Sequence, residues 1–182
     1  MTHIVEPQLA TDAPAIEALL DLSFGLGRKS KTSYRLRERS QPADGLSLVV
    51  RDGELGLSGA LSFWPLKIGA GGARALLLGP LAVHPQRQNL GVGLALMKAG
   101  IAKAAARGHR LMILVGDAPY YARVGFNQVP EGRLLLPGPV DPLRLLALEL
   151  EPGALSGARG LVLSPARFNG LHDTTWPRSP GA

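Results

Sequence analysis

The spacing of apolar residues changes several times along this chain, and each change predicts a different element. Short apolar runs predict buried strands, apolar positions three and four residues apart predict helices, and Asp52-Gly53 between two apolar stretches predicts a hairpin. The predicted elements are, in chain order, a strand at residues 3–9, a helix from 11 or 12 to 24, a basic helix at 29–39, hairpin strands at 46–50 and 55–68, a strand at 75–84, a helix at 91–107, a strand at 110–115, a short helix at 117–123 and a strand at 144–150. This order predicts a mixed α/β fold with one strand–helix–strand crossover at its centre.

Length and composition are those of one globular domain. The chain has 182 residues, of which 46% are hydrophobic and 19% charged, so it can bury a core of its own. We place the domain at residues 1–150. We treat residues 151–182, which glycine and proline punctuate, as a partly irregular C-terminal extension, and we expect Thr174 to Ala182 to be poorly ordered.

Charge and the rarer residue types narrow the chemistry. The net charge of +6 favours an anionic ligand or partner without identifying it. The chain has no cysteine, and its four histidines lie far apart, so we expect neither a thiol nucleophile nor a metal site. No apolar run is long enough to span a bilayer, and the N-terminal sequence lacks a signal-peptide pattern. We therefore expect a cytoplasmic protein that is not bound to a membrane.

Residues 83–93 carry the first signal of a ligand site. A strand is predicted to end near Val83, a turn follows, and Gly91 and Gly93 open a long helix. The first N–H groups of a helix have no internal partners, and glycines let a ligand approach the backbone closely. With Gln88, the two glycines predict a cradle for a pyrophosphate. Since glycine is abundant in this chain, the turn alone is a weak signal.

A second signal lies inside the strand that precedes this turn. Gly79-Pro80 interrupts the apolar run, and proline has no N–H to give to a sheet, so the pair predicts a bulge. A bulge here would bend the strand away from its neighbour and open a slot between residues 81–83 and 111–115. An amide-bearing ligand could pair with the free backbone groups in that slot.

A pair of tyrosines follows the second of these strands. Tyr120 and Tyr121 begin a short helix beside the predicted slot, and Gly125-Phe126 ends the segment. A tyrosine at this place could donate a proton to a leaving group. Tyr121 is our candidate general acid, with Tyr120 as the alternative carrier. Simple packing in the core is the other interpretation of Tyr121.

Together these features resemble the GNAT superfamily of acetyl-CoA-dependent N-acetyltransferases. The matching pattern is Val83-x-Pro85-x-x-Gln88-x-x-Gly91-x-Gly93, then a helix and a strand, then Tyr121-x-x-x-Gly125-Phe126. The stretch from Gly116 to Phe126 resembles the YhbS-like branch of this family. The resemblance implies a central mixed, mostly antiparallel sheet that is flanked by helices, with splayed central strands that form an acyl-CoA slot.

The resemblance also implies an activity and a set of roles. The protein would be an acyltransferase that moves an acetyl group from acetyl-CoA, its co-substrate, to an amine by direct attack, without a metal. The turn would hold the coenzyme A pyrophosphate, the strand end would pair with pantetheine, and Tyr121 would protonate the departing thiolate. The N–H of Val83 is our candidate donor to the carbonyl oxygen. The residues implied to bind the co-substrate are Leu81, Ala82, Val83, Arg87, Gln88, Asn89, Leu90, Gly91, Val92, Gly93, Leu94, Asp117 and Tyr121.

The chain departs from the family pattern at the general base. Many members carry a glutamate in or near the strand that corresponds to residues 75–83, and no carboxylate stands there in this chain. Asp117, a water chain or a residue from another strand could take that part. A non-catalytic acyl-CoA-binding sensor or regulatory module is therefore the alternative function.

A dinucleotide site is a competing interpretation of the same turn. A strand, Gly91-x-Gly93 and a helix mimic the start of a Rossmann unit. Two details oppose it, because Leu96 occupies the third glycine position and the turn of residues 84–89 is long. We expect an acyl-CoA site rather than a dinucleotide site.

The basic residues before the hairpin bear on the partner. Arg28, Lys31, Arg35 and Arg39 predict one basic helix face, which is either simply solvated or attracts the acceptor. Apart from Tyr34 no aromatic residue stands among these cations, so nucleic acid is not the expected partner. We expect a small-molecule or peptide amine as acceptor, and the sequence leaves a homodimer open.

Overall fold

The computed structural model describes residues 3–172. The strands are β1 (Val5–Pro7), β2 (Ser47–Asp52), β3 (Gly56–Ile68), β4 (Ala73–Val83), β5 (Leu111–Val115), β6 (Asn127–Gln128), β7 (Leu134–Leu135), β8 (Leu145–Glu149) and β9 (Gly160–Leu163). The α-helices are α1 (Ala13–Phe24), α2 (Thr32–Arg35), α3 (Val92–Ala106), α4 (Ala118–Ala122) and α5 (Pro165–His172). Short 3-10 turns lie at Ala10–Asp12, Leu26–Ser30, Pro85–Arg87 and Pro142–Arg144.

The strands form one mixed sheet. Its order is β1-β2-β3-β4-β5-β8-β6, and β9 pairs with both β3 and β7. The pairs β4–β5 and β7–β9 are parallel, and every other pair is antiparallel. The predicted mixed α/β fold with a mostly antiparallel sheet is therefore confirmed. A Rossmann unit, by contrast, belongs to a mainly parallel sheet.

Helices cover both faces of this sheet, because apolar side chains alternate along its strands. Val49 and Ala82 face α1 and pack with Leu19 and Leu20. Leu48 and Val50 belong instead to the core that packs against α3. Gly100 lets α3 approach closely, since a Cβ there would lie 2.5 Å from the ring of Phe63. Because helices cover both faces of the sheet, a ligand site is expected at the ends of its strands.

The predicted basic helix at residues 29–39 is wrong. The chain forms a 3-10 turn, an extended residue at Lys31 (φ −68°, ψ 145°) and then only the four residues of α2. Arg28 is buried, and its guanidinium donates to Glu17, Asp21 and Tyr34 at 2.5–2.7 Å. Because a buried guanidinium needs hydrogen-bond partners, these contacts override local helix propensity. Arg28, Lys31, Arg35 and Arg39 therefore do not share one exposed face.

The segment after residue 150 is partly irregular and partly built into the sheet. Strand β9 places Val162 opposite Ile68 and Leu163 opposite Lys67. Val162 and Ala158 are fully buried. The boundary at residue 150 stays a prediction, and the expectation for Thr174 to Ala182 concerns residues outside the described range. Within residues 3–172, no helix is long and apolar enough to cross a bilayer.

Candidate active site

A cleft opens where β4 and β5 separate. Their parallel pairing is limited to Leu76 opposite Met112 and Leu77 opposite Ile113. Beyond this point the pairing of β4 with β3 continues across a bulge, in which Gly79 and Pro80 lie opposite one residue of β3. The bulge predicted from Gly79-Pro80 is therefore present. It bends β4 away from β5, as bulges do, and leaves one edge of β4 without a partner strand.

The free edge of β4 presents backbone groups of alternate residues. The N–H of His84 donates to the carbonyl of Ser58 at 2.9 Å, which makes these two a hydrogen-bonded pair of the ladder. Since hydrogen-bonded and non-hydrogen-bonded pairs alternate in an antiparallel ladder, Val83 and Leu81 direct their N–H and C=O groups away from β3. The carbonyl of Val83 confirms this direction, because Ser23 Oγ approaches it to 3.5 Å from the cleft.

The turn after β4 delivers unpaired N–H groups to the same cleft. Gly91 has φ +89° and stands at the N-cap of α3, a conformation that glycine adopts without strain. The first hydrogen bond within the helix runs from the N–H of Ala95 to the carbonyl of Gly91 at 3.0 Å. The N–H groups of Val92, Gly93 and Leu94 therefore have no partner within the helix and carry the positive end of its dipole. Such a terminus is suited to an anion.

These elements enclose a first cavity of about 640 Å³. Most of the residues predicted to bind the co-substrate line it, namely Leu81, Val83, Arg87, Gln88, Asn89, Leu90, Gly91, Val92, Gly93, Leu94 and Tyr121. Ala82 does not, because strand alternation turns its side chain toward α1. Asp117 does not line it either, since it precedes α4 with an exposed side chain. Sequence reasoning missed Ser23, Phe24 and Arg123, and it named Tyr120 only as an acid.

Arg87 is held by carboxylates of the β2–β3 hairpin. Its Nε lies 2.7 Å from Asp52 and its Nη2 lies 2.7 Å from Glu54. The hydrogen bond from Arg87, together with those from backbone N–H groups, lowers the pKa of Asp52 to about 2. Arg87 therefore ties the hairpin to the turn before α3. The cation of this cavity that lacks an ion pair among the described residues is Arg123, whose guanidinium lies 5.8 Å from the ring centre of Tyr120.

The two tyrosines of α4 occupy different positions. The hydroxyl of Tyr120 contacts the backbone at Gly93, where a Cβ would overlap it. The ring of Tyr121 lies against Gly116 and edge-on to Phe126 at a centroid distance of 6.1 Å. Burial, with the neighbouring phenol of Tyr120, raises the pKa of Tyr121 to about 12. Tyr121 is therefore fully protonated at neutral pH.

A second cavity of about 650 Å³ adjoins the first. The two cavities share Phe24, Leu81, Tyr120 and Tyr121. The second extends over the bulge of β4, past Asp117, and along the segment of α2. A ligand in the first cavity and a ligand in the second would thus meet beside the tyrosines.

Carboxylates in this cleft come from loops. Asp117 and Asp141 line the second cavity, and β4 itself contributes none. Over the described part of the chain, no group of three or more His, Asp or Glu side chains is arranged to hold a metal ion. Asp117 and Tyr121 thus line the same cavity.

Residues 13–126 match the acetyltransferase (GNAT) family, and the chain belongs to that family. The resemblance stated from the motifs of residues 83–126 is confirmed by this match. The protein is accordingly an acyltransferase of the GNAT type.

The chain is also similar to YhbS proteins over most of its length. The uncharacterised N-acetyltransferase YhbS of Escherichia coli K12 is 28% identical over 169 residues, which cover 91% of this chain and 98% of the relative. The crystal structure of Escherichia coli YhbS in complex with CoA superposes with a TM-score of 0.74 over 92% of both chains, again at 28% identity. A GNAT acetyltransferase from Brucella melitensis in complex with acetyl-CoA has a TM-score of 0.59 and 25% identity, over 81% of this chain and 96% of its own.

Proposed function

We propose that this protein transfers an acetyl group from acetyl-CoA to an amine by direct attack, and that the cleft between β4 and β5 holds both substrates. One observation carries the proposal. The first cavity joins the free N–H groups of α3 to the free edge of β4 and ends at Tyr121, where the second cavity begins. Anion cradle, strand edge and proton donor thus follow one another in a single cleft.

The first cavity fits coenzyme A in two places. The N–H groups of Val92, Gly93 and Leu94 suit the pyrophosphate, and Gly91 beside them adds no side chain. The exposed backbone of Leu81 and Val83 suits the amides of pantetheine, which would add to the edge of β4 like a further strand. Arg123 adds a cation that lacks an ion pair among the described residues, whereas Arg87 acts by positioning the turn.

The reacting atoms then lie where the cavities meet. The amine nitrogen bonds to the thioester carbon, the carbon–sulfur bond breaks, and the hydroxyl of Tyr121 donates a hydrogen bond to the departing sulfur as its negative charge develops. Leu81 lines both cavities, whereas Val83 lines only the first. We therefore assign the N–H that stabilises the carbonyl oxygen to Leu81 rather than to Val83. Tyr120 is the weaker candidate for the acid, because its hydroxyl is placed against Gly93 at the helix end.

The proton of the amine needs an acceptor in the second cavity. Asp117 is exposed there and has an unshared carboxylate among the described residues, so it can take the proton directly or through water. The acceptor itself is a small molecule or a peptide amine. A homodimer and a cytoplasmic location stay predictions.

Binding and turnover test the proposal separately. Calorimetry should detect acetyl-CoA binding, and Gly91→Val should weaken it at least tenfold, about 1.4 kcal/mol. Gly108→Val is the matched control, because Gly108 also has a positive φ (+79°) but stands at the other end of α3, outside both cavities. Both variants strain the backbone, and only the first crowds the cradle.

Release of free thiol from acetyl-CoA in the presence of an amine panel measures the transfer itself. Thiol release that depends on the amine supports the enzyme. Tight binding of acetyl-CoA without release for any amine would favour the sensor alternative. Equal affinity of the folded Gly91→Val and Gly108→Val proteins would contradict the assignment of the cradle.

A further inference from the structure

The second cavity is richer in cations than in carboxylates. Four cationic side chains line it, and the carboxylates on its wall are Asp117 and Asp141. The cations are Arg28, Lys31, Arg37 and Arg144. They differ in how far their charge is already compensated, and that difference decides which of them can bind a ligand.

Arg28 is already satisfied. Its guanidinium donates to Glu17 and Asp21 of α1 and to the hydroxyl of Tyr34, and its side chain is only 2% exposed. A ligand would have to displace two carboxylates to reach it. Arg28 therefore holds the wall of the cavity together and is not a contact for the acceptor.

Arg37 is different, because it is half-buried and forms no ion pair of its own; the nearby carboxylate of Glu17, which pairs with Arg28, attracts it only from a longer distance. No ion pair joins it to an acid anywhere in residues 3–172, and its Nε donates to the carbonyl of Ser33 at 3.3 Å. Its guanidinium stacks 3.6 Å from the ring centre of Tyr34 and 5.5 Å from that of Trp64. Burial lowers the pKa of Arg37, so the folded protein keeps this cation at a cost.

The contacts of Arg37 with uncharged partners leave its remaining guanidinium N–H groups available to a ligand. Its hydrogen-bond partners among the described residues are the carbonyl of Ser33 and the side chain of Tyr34, and stacking on Tyr34 fixes the plane of the group. A planar guanidinium held in this way matches the two oxygens of a carboxylate or phosphate. Arg37 lines the second cavity and not the first, so it is set apart from the proposed coenzyme A site.

We propose that the acceptor is an amine that also carries an anionic group, a carboxylate or a phosphate, and that Arg37 binds this group. The inference rests on the proposed acetyl transfer and narrows its acceptor. Such a molecule would place its anion on Arg37 and its amine near Asp117, beside Tyr121. Lys31, whose ammonium lies 5.2 Å from the ring centre of Phe24, adds positive potential at the same wall.

Matched pairs of amines test this inference. We would compare kcat/KM for β-alanine against β-alaninamide and for phosphoethanolamine against ethanolamine, with saturating acetyl-CoA. The anionic member should be favoured at least tenfold in one pair, and the pair with the larger ratio identifies the carboxylate or the phosphate as the recognised group. Arg37→Gln should abolish the preference, chiefly through KM, and Arg37→Lys should restore part of it.

Arg74→Gln is the control for net charge, because Arg74 is an exposed cation that lines neither cavity. It should keep the preference, and acetyl-CoA affinity should stay unchanged in all three variants, which also reports that they are folded. Equal kcat/KM for the anionic and the neutral member of each pair, or a preference that persists in Arg37→Gln, would overturn this inference. Neither result would contradict the proposed acetyl transfer. Acetyl-CoA binding without turnover of any amine would overturn both.

Discussion

Removing the hydroxyl of Tyr121 probes the proposed chemistry at a single atom. Phenylalanine keeps the ring, which packs against Gly116 and edge-on to Phe126. The Tyr121 hydroxyl makes no hydrogen bond with the described residues. Tyr121→Phe should therefore change the free energy of unfolding by less than about 1 kcal/mol and leave acetyl-CoA affinity intact.

The pKa of Tyr121 sets the size of the expected effect. At about 12, it lies well above the ordinary thiol value of about 8.5, so complete transfer of the proton to the departing sulfur is uphill unless burial also raises the pKa of that thiol. The phenol therefore helps mainly by a hydrogen bond that strengthens as the thiolate forms. We expect kcat to fall about a hundredfold, the low end for a general acid, or about 2.7 kcal/mol of activation free energy.

The same pKa predicts the pH profile. Burial favours the neutral phenol, so the acid stays protonated and competent up to about pH 11, and kcat should decline only as the pH approaches 12. Between pH 7 and 10 the ratio of wild-type to Tyr121→Phe activity should be constant. A basic limb near pH 9 that persists in the variant would belong to another group.

Single-turnover and steady-state thiol release would measure kcat for both proteins, with Tyr120→Phe as the paired control. The kcat of Tyr120→Phe should fall far less, because the Tyr120 hydroxyl lies against Gly93 at the start of α3. A Tyr121→Phe enzyme with nearly full kcat would refute the assignment. A large loss in Tyr120→Phe alone would move the role one residue upstream.

Two further variants test the framework of the site. Gly93→Ala places a Cβ against the Tyr120 hydroxyl, within the first turn of α3. Calorimetry should show acetyl-CoA binding weakened about tenfold, with little change in thermal stability. Unchanged affinity would show that the hydroxyl of Tyr120 moves aside without cost to binding. Arg28→Met should cost about 2 kcal/mol in urea unfolding, because Glu17 and Asp21 lose a charged donor but are 56% and 39% exposed and can be hydrated. The exposed Arg35→Met should cost under about 0.5 kcal/mol, and an equal loss in both variants would contradict a specific role of the buried cation.

Local chemistry was enough to predict the glycine turn before α3 and the bulge in β4. The positive φ at position 91 favours glycine, and the proline at position 80 has no N–H to donate within a sheet. Each feature can therefore be predicted from a single residue. Periodicity likewise predicted the hairpin and the long helix α3, because each is stabilised by neighbours in the chain. The residues implied by the family resemblance then fell almost entirely within one cavity.

Tertiary contacts decided what periodicity could not. The sequence predicts Arg28 on the face of a basic helix, but in the structure Arg28 is buried and forms ion pairs with two carboxylates of α1. These contacts interrupt the helical pattern. Ser23 and Phe24 reach the first cavity from α1, and Val162 joins the core from the far end of the chain, although nothing in their local sequence indicates it.

The second cavity is likewise formed by tertiary contacts. Arg37, Asp117 and Arg144 stand far apart in the sequence and meet only because β4 and β5 separate and the loops close over the gap. A backbone conformation depends on the residues beside it, so the sequence alone determined the glycine turn before α3. A cavity wall depends on which distant side chains remain unpaired once the core has formed, and only the folded chain decides that.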